Sequence, residues 1–294
     1  MRPERALPVM HFCVLIWGFT AILGKLITLD ALPLVWWRTA IVVSTLLLFP
    51  KIWRGIWAIP RRLLGVYAVI GALVTIHWLT FYASIKLANA SVAATCMALT
   101  PTFVAVLEPL VERRKPSILE IFLSIATIPG IALVVGGVPI HYHFGIAVGA
   151  FSAFLVAIFA MLNKRHAHKA DALVVTTVEL GVGNLLLLPF LLGGSGISLP
   201  TAHDAGLLLL LGWGCTLVPF TLSLMALRHL STFTSQLTVN LEPVYAIIFA
   251  AFLLDERREL SPPFYLGVAV VLGVVMLTPL LEKRRGELDS QPAP

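Results

Sequence analysis

The chain has 294 residues, of which 59% are hydrophobic and only 12% are charged, and its mean hydropathy is +0.93. Soluble domains average about 25% charged residues, so this composition excludes a soluble globular protein and predicts an all-α integral membrane protein. The net charge of +6 does not indicate nucleic-acid binding, because the basic residues cluster in short segments between apolar runs.

The first apolar run follows a basic start, as in a signal peptide, but no small-residue cleavage pattern comes after it. We therefore interpret it as a retained membrane span. A membrane helix needs about 20 mostly apolar residues. That length selects ten segments, at residues 8–27, 32–50, 62–85, 90–111, 117–137, 144–163, 171–192, 205–227, 232–254 and 262–281.

The basic residues orient these segments. If the N-terminus is cytoplasmic, sixteen of the 21 Lys and Arg fall on the inner side, at 2–5, 51–62, 113–115, 164–169, 228 and 283–285. Only Lys25, Lys86, Arg257 and Arg258 fall outside, and Arg38 lies within the second segment. This asymmetry is what the positive-inside rule expects. It predicts an even number of spans with both termini in the cytoplasm.

The chain repeats itself with opposite orientation. Residues 82–103 (YASIKLANASVAATCMALTPTF) align without a gap on residues 224–245 (LMALRHLSTFTSQLTVNLEPVY), 142 positions later. Each half has five segments, an odd number, so the two halves enter the membrane in opposite senses. We predict two inverted five-helix units, residues 1–140 and 141–282, followed by a disordered cytoplasmic tail at 283–294. Inverted repeats are typical of alternating-access transporters.

Four short motifs carry a family resemblance: WG at Trp17 and Gly18, LTP at Leu99 to Pro101, LEPVY at Leu241 to Tyr245, and DERR from Asp255. Their order within a duplicated unit resembles the EamA-type branch of the drug/metabolite transporter superfamily, over about residues 8 to 281. The turn VERRKPS in the first half departs from that pattern. The resemblance implies a ten-helix carrier whose cavity is lined by the first four helices of each half. It also implies a peripheral fifth helix in each half and export of amino acids, other metabolites or toxic compounds.

Glu242 stands near the middle of the ninth segment, directly before Pro243. A charge at this depth normally faces a cavity or a partner, so we predict that it handles a proton or substrate, or is paired with a buried base. Pro243 is predicted to kink the helix and to free the carbonyl of Val239. Thr100 and Pro101 repeat this arrangement in the fourth segment without the acid.

Glu179 lies near the middle of the seventh segment. It is either a second proton-coupling residue or a hydrogen-bonded structural carboxylate. Two central carboxylates would raise each other's tendency to hold a proton through desolvation and repulsion. Glu108, Glu112, Asp255 and Glu256 stand at segment ends, where we assign them to packing or gating.

Polar and aromatic side chains inside the segments are the candidate substrate-binding residues. Arg38 is predicted either to form a fork with a substrate carboxylate or to extend towards the interface. His77 and the mid-segment tryptophans are predicted to contact substrate or to pack helices together. The full candidate set is Trp17, Arg38, His77, Trp78, Tyr82, Thr100, Trp213, Gln236, Asn240 and Tyr245.

Other chemistry is not indicated. The three cysteines lie in apolar segments without a CxxC spacing, and the His-x-His pairs at 141/143 and 166/168 lack neighbouring ligands. No phosphate-binding loop, dinucleotide fingerprint, HExxH or Ser-His-Asp pattern is present. We therefore expect no metal, no cofactor and no enzymatic activity.

The sequence thus predicts a secondary transporter of small organic metabolites in a bacterial inner membrane. The family resemblance alone favours export, and the central positions of Glu242 and Glu179 suggest the hypothesis of proton coupling. An uncoupled facilitator, a membrane-embedded lipid-modifying enzyme and a non-transporting scaffold or receptor are the alternatives. The expected partners are a small-molecule substrate and membrane lipids, without nucleic acid. The sequence leaves substrate identity open. It also leaves open whether the protein is a homodimer, because a dimer seam resembles any lipid-facing surface.

Overall fold

The computed structural model describes residues 2–112, 118–166, 169–194, 197–227, 229–230, 238–256 and 260–289. These residues form helices and no strand, because a chain in lipid must satisfy its backbone hydrogen bonds within each segment. A π-helix (Leu210–Leu217) joins α10 to α11. The α-helices are α1 (Ala6–Leu26), α2 (Ala31–Leu47), α3 (Pro50–Ala58), α4 (Arg61–Leu87), α5 (Ala90–Met97), α6 (Thr100–Glu112), α7 (Ile118–Gly136), α8 (His143–His166), α9 (Ala172–Gly193), α10 (Ala202–Leu209), α11 (Val218–Leu227), α12 (Glu242–Leu253) and α13 (Pro262–Asp289).

Six helical stretches of the described chain are long and apolar enough to cross a membrane, and a bent pair makes up to seven. Three further apolar helices are shorter, at Ile125–Gly136, Glu242–Leu253 and Pro262–Val274. The chain is therefore a multi-pass all-helical membrane protein. Each of the ten apolar segments contains helix, and α13 also runs on to Asp289, into the predicted tail. Its last residues, EKRRGELD, include good helix formers, which allows the helix to extend past the apolar stretch.

The connection between the second and third apolar segments contains a helix, α3, which a search for membrane-spanning segments does not select. Helix α3 begins with Pro50 and turns 96° from α2. Nζ of its Lys51 lies 3.1 Å from Oδ2 of Asp171, the N-cap residue of α9. Burial acts to raise the pKa of Asp171, but the hydrogen bonds from Lys51 and from the N–H of Leu173 hold it below its ordinary value. Asp171 is therefore charged at neutral pH and ties α3 to the start of α9.

The bundle is held by helices that approach one another very closely. Helix α4 is its centre and packs along both α8 and α9. Helix α1 packs on α12 and α11. Helices α7 and α13, from the fifth and tenth apolar segments, pack on each other, and a Cβ added at Gly267 would lie 2.6 Å from the carbonyl oxygen of Gly130. Side chains on the other side of α7, such as Phe122 and Ile125, are exposed and suit a lipid environment.

Candidate functional site

Glu242 begins a helix rather than interrupting one. The sequence placed it in the middle of a continuous ninth helix, but the chain turns at Asn240 and Leu241 and α12 starts at Glu242. Pro243 then lies in the first turn, where its missing N–H costs little. An acidic side chain is favourable at this positive end of the helix dipole. The same missing N–H leaves the carbonyl of Val239 without its usual helical partner.

The fourth segment breaks at the equivalent point. Helix α5 ends at Met97, the chain turns at Ala98 and Leu99, and α6 starts at Thr100 with Pro101 as its second residue. The turn at 98–99 and the turn at 240–241 are separated by the 142 residues of the sequence repeat. Both prolines therefore mark the start of a new helix at matching places in the two halves.

A small cavity lies beside the break at Glu242. It encloses about 10 Å³, which is room for about one water molecule. Gly18 brings α1 close to α12 here, because a Cβ at Gly18 would lie 2.8 Å from Cβ of Tyr245. In the WG motif, Trp17 therefore lines the cavity, and Gly18 allows α1 to approach α12 closely. The cavity is lined by Trp17, Thr20, Ala21, Phe81, Ala94, Met97, Glu242, Pro243 and Ala246.

Arg38 is buried in the centre of the bundle and is only 3% exposed, so it does not extend towards the interface. Its Nε donates to Oγ1 of Thr216 in the π-helix, and its Nη1 donates to the hydroxyl of Tyr82, both at 2.8 Å. Its guanidinium carbon lies 3.8 Å from the centre of the Trp78 ring. The structure therefore gathers three predicted site residues, Arg38, Trp78 and Tyr82, and adds Thr216.

His77 joins α4 to α8. The hydroxyl of Ser152 donates to the carbonyl of His77 at 2.8 Å, and Nδ1 of His77 lies 2.8 Å from the same hydroxyl oxygen. Because the hydroxyl hydrogen is already used, Nδ1 must carry a proton and donate to that oxygen. The imidazole also lies against Phe81 and Phe159. This reciprocal pair holds the helices together, and Nε2 remains available as an acceptor.

Glu179 is 1% exposed and lies on α9 where that helix packs on α4. The side chain of Asn163 on α8 lies close to its carboxyl group. Its Oε1 has no hydrogen-bond partner among the described residues, and neither does the nearby Oδ1 of Asn163. A buried carboxylate oxygen without a donor is costly when charged. The two central carboxylates thus occupy different places, Glu242 at the cavity and Glu179 in the α4–α9 contact.

The remaining predicted site residues are distributed more widely. Trp213 is 46% exposed and its indole N–H donates to Thr45 of α2, so it does not line the cavity. Asn240 is buried in the turn before α12. Tyr245 packs with Trp17 in the cluster around Met10 and Val14. Thr100 begins α6. Gln236 lies outside the described residues.

Two buried carboxylates tie loops together at one end of the bundle, which we name the latch end and define as residues 27–30, 87–91, 201–204 and 255–256. The carboxylate of Asp204 accepts from the N–H of Thr28 at 2.9 Å and from its hydroxyl at 2.5 Å. The carboxylate of Glu256 accepts from the N–H groups of Ala90 and Ser91 at 2.9 and 2.8 Å. These bonds close the bundle at this end.

Sequence reasoning missed several partners in these clusters. Thr216, Asn163 and Ser152 are ordinary small polar residues in apolar segments, and no local pattern distinguishes them from helix-packing residues. Asp204 does carry a signal, because Thr201 before it caps its N–H as expected at a helix start. Glu256 was assigned to packing or gating, but its partners lie more than 160 residues away.

His143 and His166, one from each His-x-His pair, lie within hydrogen-bond distance of backbone carbonyls. A ring nitrogen of His143 lies 3.1 Å from the carbonyl oxygen of Val135, and a ring nitrogen of His166 lies 2.9 Å from that of Leu162. Within the part of the chain that the structure describes, no three His, Cys, Asp or Glu side chains are grouped as metal ligands. His168 lies outside that part.

Comparisons with known proteins give one answer. A family model described as the EamA-like transporter family matches residues 6–136 and again residues 143–280. An uncharacterized transporter of Archaeoglobus fulgidus is 26% identical over 286 residues, covering 92% of this chain and 96% of the relative. The uncharacterized inner membrane transporter YicL of Salmonella typhimurium is 27% identical over 225 residues, covering 75% of this chain and 73% of the relative.

A solved crystal structure shares the fold, with a TM-score of 0.66 at 16% sequence identity over 96% of this chain and 98% of the other. The family and both relatives are named as transporters rather than enzymes. Together, the multi-pass helical architecture and the two family matches identify this chain as a member of the EamA-like transporter family.

Proposed function

We propose that this chain is a secondary transporter that moves a small organic metabolite across a bacterial inner membrane by alternating access. The single observation that carries the proposal is the cavity beside the broken ninth segment, where Glu242 faces an otherwise mainly apolar wall. Secondary transporters place their sites at such helix breaks near the bilayer centre, because free backbone groups and helix termini there bind polar ligands. Export and proton coupling are parts of the same proposal.

The repeat supports an alternating mechanism. The family model matches each half separately, and the two helix breaks stand at equivalent positions. We propose ten spans in two inverted units, residues 1–140 and 141–282, with both termini in the cytoplasm. Exchanging the conformations of two inverted units converts an inward-open cavity into an outward-open one. In this orientation the latch end faces the periplasm, so its buried carboxylates would close the outer side.

The orientation predicts which introduced cysteines react from outside the cell. His203 at the latch end has a 68% exposed side chain, and Trp57 on α3 at the opposite end is 84% exposed. We expect a membrane-impermeant maleimide to label His203→Cys in intact cells, and to label Trp57→Cys only after permeabilisation. The native cysteines are buried and give little background. The opposite labelling pattern would reverse the proposed topology.

Proton coupling predicts a specific defect when a central carboxylate is neutralised. Purified protein in liposomes, loaded with a mixture of radiolabelled amino acids and other small metabolites, should show efflux that a pH gradient accelerates. Glu242→Gln is expected to abolish that acceleration while leaving exchange without a gradient in place. Glu179→Gln tests the second candidate, and Asp30→Asn, an exposed change with no capping bond to lose, is the matched control.

The results of this experiment distinguish proton-coupled transport, uncoupled transport and the absence of transport. If both neutralised variants respond to the gradient as the wild type does, the coupling proposal is wrong. Wild-type exchange that ignores the gradient would identify an uncoupled facilitator instead. No movement of any loaded compound by protein that remains folded would count against transport itself.

A further inference from the structure

Arg38 is a buried cation whose known contacts leave its charge uncompensated. Among the described residues, no carboxylate oxygen lies within 4.0 Å of a guanidinium nitrogen of Arg38, the distance that defines an ion pair. Its contacts are two hydroxyl oxygens and one indole ring. A charge in the interior of a membrane protein costs a few kcal/mol or more, so an unpaired one normally serves a ligand.

Arg38 and Tyr82 together have more hydrogen-bond donors than their described neighbours have acceptors for. The hydroxyl hydrogen of Thr216 is used on the carbonyl of Leu211 at 2.7 Å, so Thr216 can only accept from Arg38. Tyr82 likewise accepts from Nη1, which leaves its own O–H free to donate. A guanidinium has five N–H groups, and two are engaged here. The remaining N–H groups of Arg38 and the O–H of Tyr82 have no acceptor among the described residues.

The surroundings hold the guanidinium in place without neutralising it. The ring of Trp78 lies 3.8 Å below the guanidinium carbon, and a stacked aromatic face stabilises the cation while leaving its N–H edge available. The π-helix supports the other side, because Thr216 bonds the carbonyl five positions earlier and so fixes its own oxygen towards Arg38. Local π geometry is often retained at functional positions.

The cavity beside Glu242 is separated from this cluster by one side chain. Phe81 lines the cavity and lies edge-on to Tyr82, with ring centres 5.4 Å apart. The charge of Arg38 also acts on Glu242, although the two do not form an ion pair. Arg38 and Tyr82 do not line this cavity themselves, so a ligand beside Glu242 would reach their donors only if the helices open at Phe81.

We propose that Arg38 and Tyr82 form a carboxylate-binding subsite, so that the transported molecule carries a carboxylate. This inference rests on the proposed transport function for its biological meaning, but the binding itself does not require transport. Two carboxylate oxygens match the free edge of a guanidinium in a bidentate fork, and the Tyr82 hydroxyl adds a third donor. Trp78 and Thr216 act as positioning residues that hold the guanidinium plane.

The test compares probes that differ only in the carboxylate. Thermal unfolding of the purified protein in detergent would be followed with 4-methylpentanoate, L-leucine and L-leucinamide, and with acetate against chloride at equal ionic strength. We expect both leucine-sized carboxylates and acetate to raise the midpoint, and L-leucinamide and chloride to leave it unchanged. A difference between 4-methylpentanoate and L-leucine would show whether an ammonium group contributes to binding.

Variants then assign the effect to the subsite. Tyr82→Phe removes one donor and is expected to weaken carboxylate binding about tenfold, the equivalent of 1.4 kcal/mol. Arg38→Gln should abolish it, and Arg38→Lys, which keeps the charge without the fork, should fall between. Arg54→Gln on α3 removes an exposed base and is the matched control. If Arg38→Gln does not fold, the contrast between acid and amide and the Tyr82→Phe result still decide the matter.

The proposal is overturned if the amide and the acid act alike, if no carboxylate shifts the folded wild type, or if Arg54→Gln loses the response as Arg38→Gln does. Carboxylate binding without flux in liposomes would leave the subsite standing and count against the transport function. Flux of compounds that lack a carboxylate would support the transport function and count against the carboxylate subsite.

Discussion

Replacing Gly71 with alanine is expected to destabilise the protein by on the order of 3 kcal/mol, the upper part of the range for overpacked helix contacts. A Cβ at this position would lie 2.1 Å from the carbonyl oxygen of Glu179 and 2.7 Å from its carbonyl carbon and Cα. These are backbone atoms, which cannot rotate away, so α4 and α9 would have to separate. Thermal unfolding in detergent should show a lowered midpoint.

The same helix offers a matched control. Gly65 also lies on α4, but nothing comes within 4 Å of a Cβ added there. Gly65→Ala is therefore expected to be neutral, or stabilising by up to about 1 kcal/mol through helix propensity. Equal effects of the two substitutions would contradict the close α4–α9 contact. Because Gly71 contacts the backbone of Glu179, Gly71→Ala should also displace Glu179 relative to α4.

Removal of Glu256 should open the latch end. Helix α5 begins with three N–H groups that have side-chain acceptors: Ala90 and Ser91 donate to Glu256, and Val92 donates to Asn89. Glu256→Ala would leave two buried donors without partners, and each costs about 1–3 kcal/mol. We expect a fall of about 3 kcal/mol in the free energy of unfolding. Cys96, buried on α5, should also react faster with a maleimide.

A graded series makes this prediction specific. Glu256→Gln keeps one acceptor oxygen and should have an intermediate effect. Asn89→Ala loses a single neutral cap, worth about 1 kcal/mol. Asp30 is the N-cap of α2 but makes no capping bond, so Asp30→Ala should change neither the midpoint nor the reactivity of Cys96. If Glu256→Ala behaves like Asp30→Ala, Glu256 does not hold the latch end closed.

The fold was largely accessible to sequence reasoning, because the bilayer imposes a length and a polarity that can be counted along the chain. The apolar segments at 8–27 and 171–192 match α1 and α9 to within two residues at each end. Helix α3 escaped that count, since its short amphipathic pattern resembles a charged connection. The start of α12 at Glu242 also escaped it, because hydropathy does not record whether an apolar run is one helix or two.

The sequence by itself determined the membrane class, the repeat at 142 residues, the family resemblance and the identity of the intramembrane charges. Only the tertiary structure decided what those charges meet. Arg38 reaches Tyr82 and Thr216 across 44 and 178 residues, and Glu256 caps a helix in the other half of the chain. Hydropathy and spacing are local properties, whereas a buried charge is satisfied by whichever helix the packing brings beside it.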